Sequence, residues 1–205
     1  MEDASALELS ATGAHACKAG DARPAKPRFS LTTEQRDFVA SSPLVFVMSG
    51  APDAPPDVSP RGDGPGFVRI VDDSILHLPD RVGNNRVDTI RNAVQAPDII
   101  LAFLKAQDER VLVVEGAAII RTDPHLLALH SINGRAPRSV MEIEVRSARL
   151  QSHAAVNRSK LWHPDAIENR FSFSFGAVLA EQMGGGADAA ATEELVADDY
   201  KSQLY

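Results

Sequence analysis

One cysteine, Cys17, stands in a chain of 205 residues. An internal disulfide is therefore excluded, and so is a zinc site built from several thiolates. Excess positive charge is also missing. The 21 Lys and Arg face 28 Asp and Glu, for a formal net charge of −7. Sequence-independent nucleic-acid binding needs clustered Lys and Arg, so that class is not expected, nor is attachment to an anionic membrane surface. No apolar run reaches the ~20 residues of a membrane-spanning helix. The opening "MEDASALELSATGAHACKAGDA" is acidic and lacks a basic segment followed by an apolar one. No signal peptide is expected from it, and the setting expected is soluble, reducing and cytoplasmic. The dinucleotide signature GxGxxG, the phosphate loop GxxxxGK[ST] and the nucleophile elbow GxSxG are all absent. The six histidines, His15, His77, His125, His130, His153 and His163, form no i,i+4 pair of a helical metal site. No metal is expected.

What is present is an ordinary globular composition, 44% hydrophobic. Residues 1–27 are rich in Ala, Gly, Asp and Lys without a sustained period and read as a mobile arm. A domain is expected over 28–183. It is followed at 184–205 by a Gly-hinged, acidic, Ala-rich tail that forms a weak helix or none. "SLTTEQRDFVASSP" predicts a short helix capped by Ser30, Thr32 or Thr33, with Phe38 and Val39 inward and Pro43 as its stop. "PLVFVMSG" reads as a buried strand. "APDAPPDVSPRGDGPG" is crowded with Pro and Gly and reads as loop, with at most a short edge strand at Val58.

Five more strand-like runs follow: "FVRIV", "SILHL", "DIILAFL", "RVLVVEGAAIIR" and "SVMEIEV". "DDS" and "KAQDE" supply turns between neighbours. Between "SILHL" and "DIILAFL" the segment "NNRVDTIRNAVQA" predicts a helix whose inner face is Val87, Ile90 and Val94. "DPHLLALHS" predicts another, with Asp123 as cap and Pro124 at its first position. Many strands with tight turns and few helices make the fold mainly β (α+β), an antiparallel sheet closing into a small barrel. His77, alternating with Leu76 and Leu78, reads as a satisfied barrel or interface residue.

The junction "PDRVGNNRVDTIRN" packs polar groups before the predicted helix. The free N–H groups opening a helix favour an anion. Asn84 or Asn85 is placed to cap it, Arg86 lies in its first turn, and Arg81 lies just upstream across Gly83. Such a set fits a phosphate, whose oxygens accept several charge-assisted bonds. The plainer reading is a capped helix with arginines solvated or paired to Asp80 and Asp88. In "SPRGDGPGFVRI", Arg61 and Arg69 bracket a loop whose glycines let backbone approach a planar ligand closely; the plainer reading is a surface loop.

Taken in order, "SPRGD", "DRVGNNR" and "RSKLW", with the strands between them, resemble the pyridoxamine 5′-phosphate oxidase-like flavoproteins over roughly Thr33 to Glu181. The branch resembled is the one carrying SPRGD and DRxGNNR. The resemblance implies an antiparallel six-stranded split β-barrel with flanking helices, homodimeric, with FMN in two clefts at the dimer interface. It puts Asn84, Asn85 and Arg86 at the FMN phosphate and Arg69 beside the flavin. Pro79, Asp80 and Arg81 fall along the isoalloxazine or ribityl chain, and Ser59 and Arg61 in a loop near the flavin. Lys160 and Trp162 fall in a segment covering the partner's cofactor. His153 and His163 are further candidates by placement alone.

The vitamin B6 oxidases place a lysine where this chain reads "RIVDDS", and their substrate-phosphate segment has no counterpart around "INGRAPRSVM". Flavin binding therefore carries over and the B6 substrate does not. The function implied is an FMN-dependent oxidoreductase acting on a small molecule, with NAD(P)H as a possible electron donor and no catalytic acid or base assigned. The alternatives are a flavin-binding or structural dimer without turnover, and a relative holding another cofactor, deazaflavin or haem.

Overall fold

The computed structural model describes residues 29–81, 87–168, 174–182 and 188–203. The arm expected at 1–27 lies outside them. The first element, α1 (Thr33–Ser41), begins at a capping box. The Thr32 hydroxyl accepts from the Gln35 N–H at 3.3 Å and the Gln35 side chain accepts from the Thr32 N–H at 3.0 Å. Phe38 and Val39 are buried. The Gln35 amide also donates to the Ala148 carbonyl at 3.1 Å, which ties the helix to the sheet.

Seven strands follow: β1 (Leu44–Ala51), β2 (Ala54–Gly62), β3 (Arg69–Asp72), β4 (Ile75–Asp80), β5 (Asp98–Leu104), β6 (Arg110–Arg121) and β7 (Ser139–Ser152). They form one antiparallel sheet in the order β2-β1-β5-β6-β7-β4-β3. The Pro- and Gly-rich segment expected as loop is largely β2, paired with β1 from Leu44 opposite Gly62 to Ala51 opposite Ala54. It is an edge strand, where a proline's missing N–H costs no second ladder. Its prolines also blunt further pairing along that edge. The sheet thus has seven strands rather than six, and its ladder is open, ending at β2 and β3.

The turns follow local chemistry. Between β3 and β4, the Asp72 carboxylate accepts from the N–H and hydroxyl of Ser74 at 2.7 and 2.9 Å. Between β5 and β6, Gln107 takes a left-handed φ of 63°. Beside it the Asp108 carboxylate accepts from the Arg110 N–H and guanidinium. Hydrogen bonding to that side chain holds Asp108 down at about 2. Where β6 bulges against β7 at Glu115 and Gly116, a Cβ on Gly116 would lie 2.6 Å from the Glu144 carbonyl oxygen. Only glycine permits that approach.

Alternate residues of β1, β5, β6 and β7 are buried. With Leu76 and Leu78 of β4 they make one core, in which Phe103, Leu101 and Leu112 are fully enclosed. Each such side chain stabilises the fold by about 1.5–3 kcal/mol. Four strands separate β2 from β4 in the sheet order. Arg61 of β2 nevertheless pairs with Asp80 of β4 at 2.8 Å, so the sheet curls until its β2 edge reaches β4, the strand next to its other edge.

The helix α2 (Asp88–Gln95) corrects three expectations. Its N-cap is Val87, with no side-chain cap, rather than Asn84 or Asn85, and Arg86 precedes the helix instead of lying in its first turn. Its buried residues are Thr89, Asn92 and Ala93, while Val87 and Val94 are exposed. Polar pins decide that orientation. The Thr89 hydroxyl donates to Asp57 at 2.7 Å and the Asn92 amide donates to the Ser49 hydroxyl at 3.2 Å.

Four more helices flank the sheet or extend the chain beyond it: α3 (Pro124–Leu129), α4 (Ala154–Ser159), α5 (Pro164–Glu168) and α6 (Phe175–Gln182); α7 (Ala189–Gln203) forms within the acidic tail. Asp123 is the N-cap of α3, as expected, but its carboxylate pairs with Arg121 at 2.9 Å instead of capping. α6 and α7 pack on each other, joined through Glu193, which accepts from the Ser174 hydroxyl and the Gly176 N–H. No helix among the described residues is long and apolar enough to cross a membrane.

Candidate functional site

On β2 the half-buried residues alternate: Asp57, Ser59, Arg61. A strand places such residues on one face. That face meets two other elements, because Asp57 holds Thr89 of α2 and Arg61 holds Asp80 of β4. A second pair, Arg81 Nε to Asp63 at 2.9 Å, crosses the same seam. Both pairs are largely withdrawn from water, with side chains 14–21% exposed. Where no backbone ladder closes the sheet, these two ion pairs hold its ends together.

The seam is a cleft. It is lined by Val47, Leu78, Ile90, Ile120 and Met141, and by the polar groups of Arg61, Asp80, Thr89 and Ser139, with Pro79 between them. Asp80 and Ser139 face each other across the β4–β7 ladder. Ser139 is buried, and its hydroxyl has no hydrogen-bond partner among the described residues. An apolar slot with a few convergent polar groups is the usual form of a small-molecule site.

A second polar cluster is formed by side chains from several elements. His77 of β4 is flanked by Arg69 of β3 and Glu142 of β7. Its Nδ1 lies 3.2 Å from Nε2 of His130, the residue closing α3, and its Nε2 lies 3.1 Å from Glu142. Arg121 completes the chain, pairing with Glu142 at 3.2 Å and with Asp123. With both rings neutral, His77 donates to Glu142 and therefore accepts from His130. Burial, then the neighbouring Arg69, His77 and Arg81, push the His130 imidazole down to about 4.

The residues nominated from sequence thus divide. Arg61, Pro79 and Asp80 line the cleft and Arg81 pairs across its seam. Ser59 shares the inward face of β2 without being a lining residue. Arg69 is exposed on β3, opposite His77. Asn84, Asn85 and Arg86 lie outside the described residues, on the segment joining Arg81 to α2. Lys160 is exposed at the left-handed end of α4, and Trp162 donates to the Asp108 carbonyl at 2.9 Å, so neither lines this cleft. His153 is half-buried and His163 pairs with Asp165, also away from it. His77 is the satisfied buried residue expected.

Sequence reasoning missed Asp63, Asp57, Thr89 and Ser139. The first two were hidden by reading "APDAPPDVSPRGDGPG" as loop, which discards the alternation that puts Asp57 and Arg61 on one face. Ser139 opens the run "SVMEIEV", where Glu142 and Glu144 are polar as well, so nothing local marks it.

No family model and no curated protein matches the chain. Solved structures similar to it include proteins of the pyridoxine-phosphate oxidase and FMN-binding kind. HupZ of Group A Streptococcus is 17% identical, with 60% of this chain and 94% of that one covered and a TM-score of 0.49. A protein from Clostridium acetobutylicum related to general stress protein 26, of the pyridoxinephosphate oxidase family, is 14% identical. There 58% of this chain and 87% of that one are covered, at a TM-score of 0.46. An FMN-binding protein from Syntrophomonas wolfei is 8% identical, with 58% and 84% covered and a TM-score of 0.47.

Proposed function

We propose that this chain is a cytoplasmic, FMN-dependent oxidoreductase of the pyridoxamine 5′-phosphate oxidase-like kind, a split barrel working as a homodimer on a small molecule. One observation carries the reading. Arg61, Pro79, Asp80 and Arg81 were singled out by sequence motif alone, and residues of β2 and of the end of β4 converge on one apolar cleft. The cleft suits the edge of the cofactor's polar, planar ring: its walls are mainly apolar, and a buried hydroxyl there lacks a partner among the described residues.

In this reading the segment joining Arg81 to α2 holds the phosphate through Asn84, Asn85 and Arg86. Arg61 and Arg81 are already paired with carboxylates, so they fix the seam rather than neutralise the dianion. Arg69, exposed on β3, is left to face the flavin. Lys160 and Trp162, which do not line the cleft of their own chain, cover the cofactor of the partner copy. The bound flavin supplies the electron or hydride chemistry, and the protein's part is to bind it, orient it and keep water from it. No donor or substrate is assigned.

The test is direct. Purified full-length protein should be yellow, release FMN identified by mass, sediment as a dimer, and bleach on adding NADH or NADPH with recovery in air. Arg86→Ala should lose flavin while remaining dimeric. A colourless protein that does not take up added FMN would refute the reading.

A further inference from the structure

Buried polar groups in native proteins are almost always hydrogen-bonded, and each exception asks for a reason. Ser139 is such an exception: it is 6% exposed, and no described residue pairs with its hydroxyl. Its place in the fold supplies the reason. It opens β7 directly opposite Asp80 and lines the cleft beside that carboxylate and Arg61. The remaining walls are mainly apolar, so the hydroxyl has few polar groups to turn to. The enclosed space is about 10 Å³, room for about one water-sized group. A whole ring does not enter it. A single carbonyl oxygen on the rim of a ring does.

We propose that Ser139 and Asp80 read the edge of a planar heterocycle that carries a carbonyl beside a ring N–H. The serine hydroxyl donates to the carbonyl oxygen in the slot, and the Asp80 carboxylate accepts from the adjacent N–H at its mouth. The pairing is complementary, since an ionised carboxylate only accepts and a hydroxyl is free to donate. This rests on the flavin reading above and deepens it: the edge read is the pyrimidine edge of the isoalloxazine, and Ser139 becomes a residue that selects for it.

The prediction has two signs. Removing an orphaned hydroxyl relieves the folded protein, so Ser139→Ala should melt at the wild-type temperature or above it. The same change should weaken FMN binding about three- to tenfold, the worth of one hydrogen bond. FMN methylated at the ring N–H cannot present the edge, so its affinity should be the same for wild type and variant. Titrations of full-length protein with both flavins, beside thermal melts, decide it. A variant that binds FMN as tightly as wild type overturns this inference alone and leaves the slot to a water. A variant that melts lower and loses both flavins equally also overturns it, because the serine is then structural. Wild-type protein that binds no FMN overturns both this inference and the flavin reading.

Discussion

Two polar regions of this molecule use similar residues to opposite ends. The histidine chain beneath α3 runs Asp123, Arg121, Glu142, His77, His130, and each member has a partner within hydrogen-bonding distance. The cleft between β2 and β4 is also stitched by charged pairs, yet it keeps a buried hydroxyl with no partner among the described residues. A polar network that is satisfied rigidifies the fold. One with spare hydrogen-bonding capacity in an apolar slot is built for something else. The contrast therefore separates structure from site without appeal to any relative.

The largest effect should fall on the satisfied network. His77→Ala leaves the buried His130 ring without its partner, leaves Glu142 to Arg121 alone and opens a cavity, and should cost about 2–4 kcal/mol in urea unfolding. Flavin affinity should move little. An equal loss of binding would erase the distinction between the regions.

Acid should act on the same network. His130 lies at about 4 in the folded chain, below its ordinary 6.5. Between those values the unfolded chain holds a proton that the folded one does not, so stability falls as pH falls. The slope contributed is at most about 1.4 kcal/mol per pH unit, and it levels off below pH 4. His130→Gln should flatten that window in a series of melts from neutral to acid pH. An unchanged slope would show that another group carries it.

In the cleft, Arg61→Ala should cost less stability, about 1–2 kcal/mol from the unpaired, largely buried Asp80, but should weaken flavin binding tenfold or more. Its signature is thus the reverse of the histidine's. The smallest effect belongs to an exposed pair used as control. Arg149 and Glu115, 2.7 Å apart, are both open to solvent. Arg149→Ala should change stability by less than about 0.5 kcal/mol, and a larger loss would mean that surface pairs bear on the sheet as well.

Much of this was legible in the residues. The Thr32–Gln35 capping box, Pro124 at the start of α3 and the turns at Asp72 and Asp108 are local rules satisfied by near neighbours. The reading of apolar runs between turn residues marked β1 and β3 to β7. It failed at β2, because prolines weigh against a strand until a partner strand lies alongside. Helical spacing failed in part on α2: Ile90 lines the cleft, but Val87 and Val94 are exposed and hydrogen bonds from Thr89 and Asn92 to Asp57 and Ser49 set the inner face. The candidate site divides likewise. Arg61, Pro79, Asp80 and Arg81 stood out by motif, whereas Asp63 and Ser139 have no local signature.

By itself the sequence determined most of the local elements, the antiparallel class and a short roll of closely spaced polar residues. Only the tertiary structure decided that β2 is the sheet's edge, which way α2 faces, and that β2 meets β4 through Arg61 and Asp80. The reason is range. Caps, turns and alternation are settled within a few residues along the chain. The meeting of β2 with β4 depends on the curl accumulated across the strands between them, which no local window contains.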